Sequence, residues 1–312
     1  KQRPRLIRSE IIRGGEVTKN WLSMKFKYRN CPVCNESYTT ASLFQKENIS
    51  ASKFNSFSYS SRKNPEFMCH EMVRCKKCDL VYVSKPPDID KLEMAYHDAN
   101  FDSATEAHDA AATYCANIQS TLKEIGLNAK ILEIGSGSGD FLLSLKNIGY
   151  KNIVGIEPSL AAIDAANKDI KKNLIHGVFN KNNFDSSQFD LICCFMTLEH
   201  VFDPKIIVDD VFYLLKKDGF FIAVAHNYSS WINKILGKKS PIIDIEHMQI
   251  FSKKSVSYLM KDAGYKDIQI NTFKNKYSLI YWIRLLPLPN KIKIYMIKNL
   301  KKIKLSNFKI SM

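Results

Sequence analysis

Long apolar runs are absent from this sequence of 312 residues. Stretches such as Leu191–Leu198 and Phe220–Ala225 are far shorter than the roughly 18 to 20 residues of a membrane-spanning helix, so we expect no transmembrane segment. Glycine and proline are also scarce, at 12 and 10 residues, whereas 45% of the residues are hydrophobic. This composition excludes collagen-like and low-complexity chains and predicts a soluble globular protein with one sizeable core and a small accessory module.

A secretory signal is also lacking, because no apolar stretch follows the basic amino terminus. We therefore expect a cytoplasmic protein. The sequence starts at Lys1 rather than at a methionine, which leaves open whether a further segment precedes it.

Acidic residues are missing from the last part of the sequence. Residues 271–312 hold 10 basic and no acidic side chains, residues 1–80 hold 16 and 7, and residues 81–270 hold 20 and 24. The formal net charge of +15 therefore lies at the two ends of the chain. A basic protein suggests nucleic acid or an anionic surface as a partner. Because the middle is mildly acidic, nucleic acid is not expected at a central active site.

Cysteine is concentrated near the amino terminus, in two Cys-x-x-Cys pairs, Cys31 with Cys34 and Cys75 with Cys78. Two short turns that each offer a pair of thiolates suit a tetrahedral Zn²⁺ ion. Two disulfides are the alternative, and the lack of a secretory signal disfavours them. We predict a closed structural zinc site, which has no open position for chemistry.

Strand and helix patterns alternate from residue 129 onward. The strand patterns are AKILEI (129–134), NIVGIE (152–157), NLIHGVF (173–179), FDLICCFM (189–196) and GFFIAVAHN (219–227). The helix patterns between them are DFLLSLKNIG (140–149), SLAAIDAANK (159–168) and DPKIIVDDVFYLLKK (203–217). This alternation predicts an α/β fold with a mostly parallel, Rossmann-like sheet covered by helices on both faces. Residues 251–274 predict one more helix and strand, and a last strand is expected at Tyr277–Ile283 or at residues 302–312, unless the chain stops before it.

A glycine-rich turn, GSGSG at 135–139, joins the first of these strands to the first helix, where α/β sheets bind ligands. Glu133 precedes the turn and Asp140 opens the helix, at the point where a dinucleotide site holds its pyrophosphate. Two carboxylates repel a pyrophosphate but attract the sulfonium and ammonium groups of S-adenosylmethionine. The G-x-G-x-G spacing also departs from the dinucleotide pattern. Glu157, at the end of the second strand, stands where an acid accepts the ribose hydroxyls.

Four segments resemble, in order, the motifs of the class I S-adenosylmethionine-dependent methyltransferases over about residues 129–270. They are ILEIGSGSGDFL, IVGIEPS, FDLICCFMTLEHVFDP and LLKKDGFFIAVAHN. The segment LEHVFDP is most similar to the small-molecule branch that includes the ubiquinone-biosynthesis methyltransferases. The front module resembles the zinc-binding domain of methyltransferases that act on deoxysugars and surface polysaccharides. The resemblance implies these cofactor-binding residues: Glu133, Gly135, Ser136, Gly137, Gly139, Asp140, Glu157, Pro158, Phe179, Asn180, Phe195, Met196 and Thr197.

Methyl transfer requires that a base remove the proton of the acceptor. His200 and His247 both follow strands of the sheet, where loops reach its carboxyl edge. Glu246 with His247 resembles the Glu-His pair in the active site of zinc-ribbon sugar C-methyltransferases, so we expect His247 to be the base and His200 to be the second candidate. The alternative is that both histidines only hold loops in place. Tyr96 and Phe101 are expected either to cover the cofactor or to pack in the core.

The predicted function is transfer of a methyl group from S-adenosylmethionine to a small molecule, namely a sugar or nucleotide-linked sugar of polysaccharide biosynthesis. Two alternatives remain: an RNA or protein methyltransferase that uses its basic ends as a clamp, and an inactive partner subunit that binds the cofactor. We predict a zinc-binding module at 1–87, a methyltransferase domain at 88–275 and a basic extension at 276–312 that packs on the core. The sequence leaves the oligomeric state open.

The extension contains a lysine-rich helical pattern. Ile292, Met296, Leu300 and Ile303 fall on one face between Lys291 and Lys304, and lysines occupy much of the remainder. Such a helix either packs on its own domain with its lysines in water or lies on an anionic membrane surface.

Overall fold

The computed structural model describes residues 27–60, 64–272, 274–303, 305 and 308–311. Residues 1–26 of the predicted front module and Lys304 of the predicted tail helix lie outside the described residues. Of the helices in the described part of the chain, none has both the length and the hydropathy that crossing a bilayer requires.

The front module is an antiparallel sheet of short strands. Strands β1 (Ser42–Gln45), β2 (Met72–Arg74) and β3 (Val81–Val83) lie side by side in this order. The second Cys-x-x-Cys turn forms the loop between β2 and β3, where the Cys75 amide donates to the Leu80 carbonyl over 2.8 Å. We call each Cys-x-x-Cys turn a knuckle. The second knuckle is therefore the loop that joins two neighbouring strands of the front sheet.

Three helices lead from the front module to the central sheet. They are α1 (Ile89–His97), α2 (Ala104–Asn117) and α3 (Gln119–Ile125). Residues 98–103 separate α1 from α2. Helix α2 buries its alanine-rich face, including Ala110, Ala111 and Tyr114, in an apolar cluster on one side of the central sheet.

The central sheet confirms the predicted Rossmann-like α/β fold. Its strands are β4 (Lys130–Ile134), β5 (Asn152–Glu157), β6 (Leu174–His176), β7 (Phe189–Phe195) and β8 (Leu215–Val224). They run parallel to one another in the order β6-β5-β4-β7-β8. The strand order reverses at β4, and an open α/β sheet binds its ligand at such a reversal, beyond the carboxyl ends of the strands.

Four helices cover the faces of this sheet: α4 (Asp140–Ile148), α5 (Leu160–Asp164), α6 (Lys168–Lys171) and α7 (Pro204–Leu214). Local sequence determines where they start. The Ser159 hydroxyl accepts from the Ala162 amide over 3.2 Å and caps α5. Asp203 caps α7 ahead of a proline in its first turn.

The remaining elements are α8 (Trp231–Leu236), β9 (Gln249–Ile250), α9 (Lys253–Asp262), β10 (Lys276–Ser278), α10 (Leu279–Leu285), α11 (Asn290–Lys302) and β11 (Lys309–Ser311). Strand β9 pairs antiparallel with β3, so a segment that follows the central sheet completes the front sheet. The two parts also share an apolar cluster that joins Val33 and Tyr82 to Leu132 and Leu214.

One strand prediction was wrong, and the last strand, for which alternatives were left open, lies outside the central sheet. The described residues between 263 and 275 form no strand after α9, and Asp267 there has a φ of 52°, which breaks an extended backbone. Residues 279–285 are helical, because the Ser278 hydroxyl caps α10 by accepting from the Tyr281 amide over 3.2 Å. Strands β10 and β11 pair only with each other among the described residues, in a separate two-stranded sheet.

Candidate active site

The carboxyl ends of β4, β5 and β7 open into a cavity of about 330 Å³. Most of the predicted cofactor residues line it: Glu133, Gly135, Ser136, Gly137, Asp140, Glu157, Pro158, Phe179, Phe195, Met196 and Thr197. Gly139 and Asn180 are not among the lining residues. Gly139 is the N-cap residue of α4, and the Asn180 side chain caps a 3₁₀ turn by accepting from the Asn182 amide over 2.9 Å.

The glycine-rich turn lies against β5 and β7. The amides of Gly135 and Ser136 both donate to the Ile156 carbonyl, over 2.9 and 3.0 Å. Gly135 has a φ of 72°, and a Cβ atom there would overlap the Thr197 side chain. A Cβ atom on Gly137 would meet nothing within 4 Å. Position 135 therefore requires glycine for both conformation and space, and position 137 leaves room beside the backbone for a ligand.

Three carboxylates stand around this turn. Glu133 and Glu157 are buried at the ends of β4 and β5, and Asp140 begins α4. The Glu157 carboxylate accepts from the Gly137 amide over 2.7 Å and from the Ser159 amide over 2.8 Å. These bonds fix its orientation, and each carboxylate oxygen can accept a second hydrogen bond. The charge at this end of the cavity suits a cation.

Aromatic rings form a wall beside the carboxylates. Tyr114 stacks on Phe195 with ring centroids 4.2 Å apart, and Phe141 meets the same ring edge-on at 4.9 Å. Helices α2 and α4 thus place an apolar surface against the end of β7, where the backbone turns at Met196 with a φ of 51°.

The amino-terminal part of the chain also contributes to the cavity wall. Tyr59 and Ser60 of the front module line the cavity together with Tyr96 and Phe101. Tyr96 contacts Tyr59 edge-on, with ring centroids 5.4 Å apart. Tyr96 therefore faces the cavity and also packs on a neighbouring side chain, and its role as a cover for the cofactor stays a prediction.

The two candidate histidines differ in access. His200 lines the cavity, whereas His247 is 5% exposed and is not a lining residue. Their rings are neighbours, with centroids 4.8 Å apart, and His226 contacts His247 at 5.2 Å. His200 is thus the histidine that can meet a molecule in the cavity, and His247 packs behind it.

Hydrogen bonds define the proton position on His200. Its Nδ1 atom lies 3.2 Å from the Glu246 carbonyl oxygen and 3.4 Å from the Tyr96 hydroxyl. The Tyr96 hydroxyl donates to the same carbonyl over 2.6 Å, so Nδ1 faces two acceptors and must carry the proton. The neutral ring then has its lone pair on Nε2, which is the form a general base needs.

His247 and Glu246 form a buried pair behind His200. The His247 Nδ1 atom donates to the Ile242 carbonyl over 2.9 Å, and its Nε2 atom is 3.9 Å from the Glu246 carboxylate. The Glu246 carboxylate lies close to those of Glu66 and Asp244, with ligand atoms within 4.8 Å of one another. Glu246 thus acts on His200 through its backbone carbonyl in this structure.

Glu199 connects three segments beneath the site. Its carboxylate accepts from the His226 amide over 2.8 Å, and its carbonyl accepts from the Met248 amide over 2.8 Å. The side chain is 0% exposed, and burial raises its pKa to about 7. Its Oε2 atom has no hydrogen-bond partner among the described residues. These contacts give Glu199 a structural role next to His200.

Two residues of the site, Gly155 and Tyr59, were not predicted from the sequence. Gly155 lies inside β5, and a Cβ atom there would come within 2.7 Å of the Ser136 and Leu142 side chains. A glycine inside a strand pattern signals such a close approach, so this one could have been found. Tyr59 gave no signal, because it lies in an irregular stretch rich in serine and asparagine.

The predicted metal ligands come together at one point. The sulfurs of Cys31 and Cys78 are 3.4 Å apart, those of Cys34 and Cys75 are 3.5 Å apart, and all four lie within 4.8 Å of one another. Four thiolates around a tetrahedral zinc ion with bonds of about 2.3 Å would be about 3.8 Å apart. The cluster therefore has the size and donor set that fit such an ion.

Comparison with known proteins agrees with this geometry. Residues 107–270 match the model of a family described as "methyltransferase domain", and the chain belongs to this family.

Two curated relatives are each 30% identical to the chain. A ubiquinone biosynthesis O-methyltransferase of Actinobacillus pleuropneumoniae aligns with 35% of this chain and 51% of its own length. A ribosomal protein L11 methyltransferase of Clostridium perfringens aligns with 34% of each. The chain thus spans about half or less of the length of these relatives. A solved SAM-dependent methyltransferase of Thermotoga maritima is 22% identical, with a TM-score of 0.42 over 57% of this chain and 79% of that one.

Proposed function

We propose that this protein transfers a methyl group from S-adenosylmethionine to a hydroxyl group of a small molecule, in the class of sugars and nucleotide-linked sugars. One observation carries the proposal: Glu133, Asp140, Glu157 and His200 all line a single cavity. The carboxylates suit a cationic cofactor, and a base can take the proton of the acceptor.

The residues of the cavity fit the cofactor. Glu133 and Asp140 offer negative charge for its amino acid end, and the open space beside Gly137 admits it close to the backbone. The Glu157 carboxylate, held by two amides, has oxygens that can accept from the ribose hydroxyls. When bound, S-adenosylmethionine supplies a methyl group activated by a sulfonium.

His200 supplies the proton chemistry. A bound sulfonium would supply the methyl group to the acceptor oxygen and would keep the electrons of the broken C–S bond, so the residues of this chain need to orient the acceptor and take its proton. The hydroxyl proton of the acceptor moves to His200 Nε2. The proton on Nδ1 remains bonded to the ring and faces the Glu246 carbonyl and the Tyr96 hydroxyl. Tyr96 and Glu246 thus hold the imidazole in the form that accepts a proton.

The class of acceptor is supported by the front module and by one relative. Tyr59 and Ser60 of that module line the same cavity as the carboxylates, and the module resembles those of methyltransferases that act on sugars. One relative is named as an O-methyltransferase of ubiquinone biosynthesis. Another is named as a methyltransferase of ribosomal protein L11, so protein is the competing acceptor class.

We also propose that the four-cysteine cluster binds Zn²⁺. The two knuckles repeat one backbone pattern, since the Cys31 and Cys75 amides donate to residues five positions on, Glu36 and Leu80, over 2.9 and 2.8 Å. With four sulfur ligands the ion has no open position, so it would hold the knuckles together and take no part in methyl transfer.

A methyl-transfer assay with radiolabelled S-adenosylmethionine tests the acceptor class. We expect label in a nucleotide sugar or free sugar of a screened panel, and none in ribosomal protein or RNA. Label that enters protein or RNA and never a sugar would overturn the proposed acceptor.

Two variants test the site itself. Glu157→Ala should abolish cofactor binding in calorimetry, and Glu124→Ala, which removes an exposed carboxylate on α3, should leave it unchanged. His200→Gln should lower turnover by about 10²- to 10⁴-fold while cofactor binding persists. The matched control is His97→Gln at an exposed position. Full turnover of the His200 variant would rule out the assigned base.

A further inference from the structure

The carboxy-terminal helix presents a basic stripe to solvent. Helix α11 (Asn290–Lys302) has no buried residue. The exposed residues Lys291, Tyr295, Lys298 and Lys302 follow one another at intervals of four, three and four positions, which places them on one face of the helix. We call these four residues the outward stripe.

The opposite face of α11 holds the helix on the protein. Lys293 donates to the Arg284 carbonyl over 2.7 Å and lies 5.6 Å from the centre of the Phe67 ring. Met296 and Leu300 on this face are half-buried. The helix therefore has a fixed orientation, with the outward stripe turned away from the core.

Large apolar side chains flank the stripe and remain exposed. Ile294 is 65% exposed, and Tyr295 within the stripe is 67% exposed. Ile292, Ile303 and Phe308 are also exposed. Single exposed apolar residues are ordinary, but several on one helix beside lysines form a mixed surface that is apolar and cationic.

The described carboxylates do not balance this charge. The sequence contains no acidic residue after Asp267. Arg284 and Lys309 pair with Glu106 and Asp109 of α2, whereas the lysines of the outward stripe form no ion pair with any described carboxylate. Within the described part of the chain, the stripe is thus a cationic surface.

We propose that the outward stripe and its apolar flanks bind the surface of a membrane that contains anionic lipids. Lysines would contact the lipid phosphates, and Ile294 and Tyr295 would enter the region between headgroups and acyl chains. In a symmetric dimer a second copy would present the same stripe, and the lysines of the two stripes would repel each other. A nucleic acid matches the lysines but offers no apolar phase for the isoleucines.

Sedimentation with vesicles tests this proposal. The wild-type chain should bind vesicles of phosphatidylcholine mixed with phosphatidylglycerol at low salt, and should bind vesicles of phosphatidylcholine alone far less. High salt should weaken the binding to the mixed vesicles, because it screens exposed charges. The measurement needs neither cofactor nor acceptor, so its failure would leave the proposed methyl transfer unaffected.

Charge variants locate the surface. The triple variant Lys291→Gln, Lys298→Gln, Lys302→Gln should bind the mixed vesicles about a hundredfold more weakly, since each lysine near an anionic bilayer contributes about 1 kcal/mol. The control triple Lys123→Gln, Lys151→Gln, Lys172→Gln removes three other exposed lysines and should bind like wild type. If both triple variants lost vesicle binding equally, only the net charge of the protein would matter, and the proposal would be overturned.

An apolar variant separates lipid from nucleic acid. Ile294→Ser with Tyr295→Ser keeps every lysine, and these side chains are exposed, so folding should persist in circular dichroism. Weaker vesicle binding is expected. Unchanged vesicle binding would contradict insertion into the interface. Binding of single-stranded RNA that depends on the outward stripe, with no binding to anionic vesicles, would assign the surface to nucleic acid instead.

Discussion

Glu199 should make the protein less stable as the pH rises. Its side chain is 0% exposed, and burial raises its pKa from 4.5 to about 7. The folded protein therefore keeps a proton that the unfolded chain has already released in this range. The resulting stabilisation is fully present below about pH 4.5 and is lost as the pH rises through about 7.

The size of the effect follows from the pKa difference. One pKa unit corresponds to about 1.4 kcal/mol, so a rise from 4.5 to about 7 corresponds to about 3 kcal/mol of the free energy of unfolding. The backbone hydrogen bonds to the carboxylate, from the His226 amide and from the Glu199 amide itself, do not offset the cost of a buried charge.

Glu199→Gln isolates this contribution, because glutamine resembles the protonated acid and its carbonyl can still accept from the His226 amide. Urea unfolding of the metal-loaded protein should give nearly equal stability for both proteins at about pH 4.5, and a variant about 3 kcal/mol more stable at about pH 8. Glu124→Gln on the exposed face of α3 is the control and should show no such trend. A difference between the Glu199 variant and wild type that stays constant across this range would refute the reasoning.

Three further outcomes are expected. Gly135→Ala should weaken cofactor binding in calorimetry more than tenfold and lower the thermal midpoint, because the new Cβ overlaps Thr197. Gly126→Ala, at a similar φ of 70° but with nothing within 4 Å, should leave binding intact. Arg29→Met should cost about 3 kcal/mol or more in urea unfolding, since the Arg29 guanidinium donates to three backbone carbonyls of separate segments. A strong chelator should lower the thermal midpoint, and metal analysis should find about one zinc per chain. A chain without zinc and with an unchanged midpoint would contradict that site.

The central sheet could be predicted because its signals are local. Strands β4, β5 and β7 are short apolar runs, and Ser159 and Asp203 mark helix starts by their own side-chain bonds. Strand β8 begins at Leu215, within the stretch that was predicted to be helical up to residue 217. The two knuckles were equally readable, since the spacing of two cysteines in a turn fixes how their sulfurs converge. These features depend on neighbours along the chain.

Other features depend on partners distant in sequence. Strand β9 has two residues, too few for any periodicity, and it exists because β3 offers an edge to Gln249 and Ile250. Which of the two histidines can reach an acceptor as a base depends on burial, and burial cannot be inferred from this stretch of sequence. His247 packs behind His200 rather than in the cavity. The strand expected after α9 was prevented by the backbone turn at Asp267.

The contacts between the two parts of the chain bear on substrate choice. Arg29 donates to the Val83 carbonyl of the front sheet and to the Phe202 and Met248 carbonyls beyond the central sheet, so its guanidinium ties both parts to one point. Tyr59 of the front module lines the cavity, and β9, which follows the central sheet, pairs with β3 of the front sheet. A zinc ion that orders the knuckles would therefore also fix the wall that faces an acceptor. The three carboxylates of the cavity belong to β4, α4 and β5, so we expect changes in the front module to alter the part of the wall that carries Tyr59 and to leave these carboxylates in place.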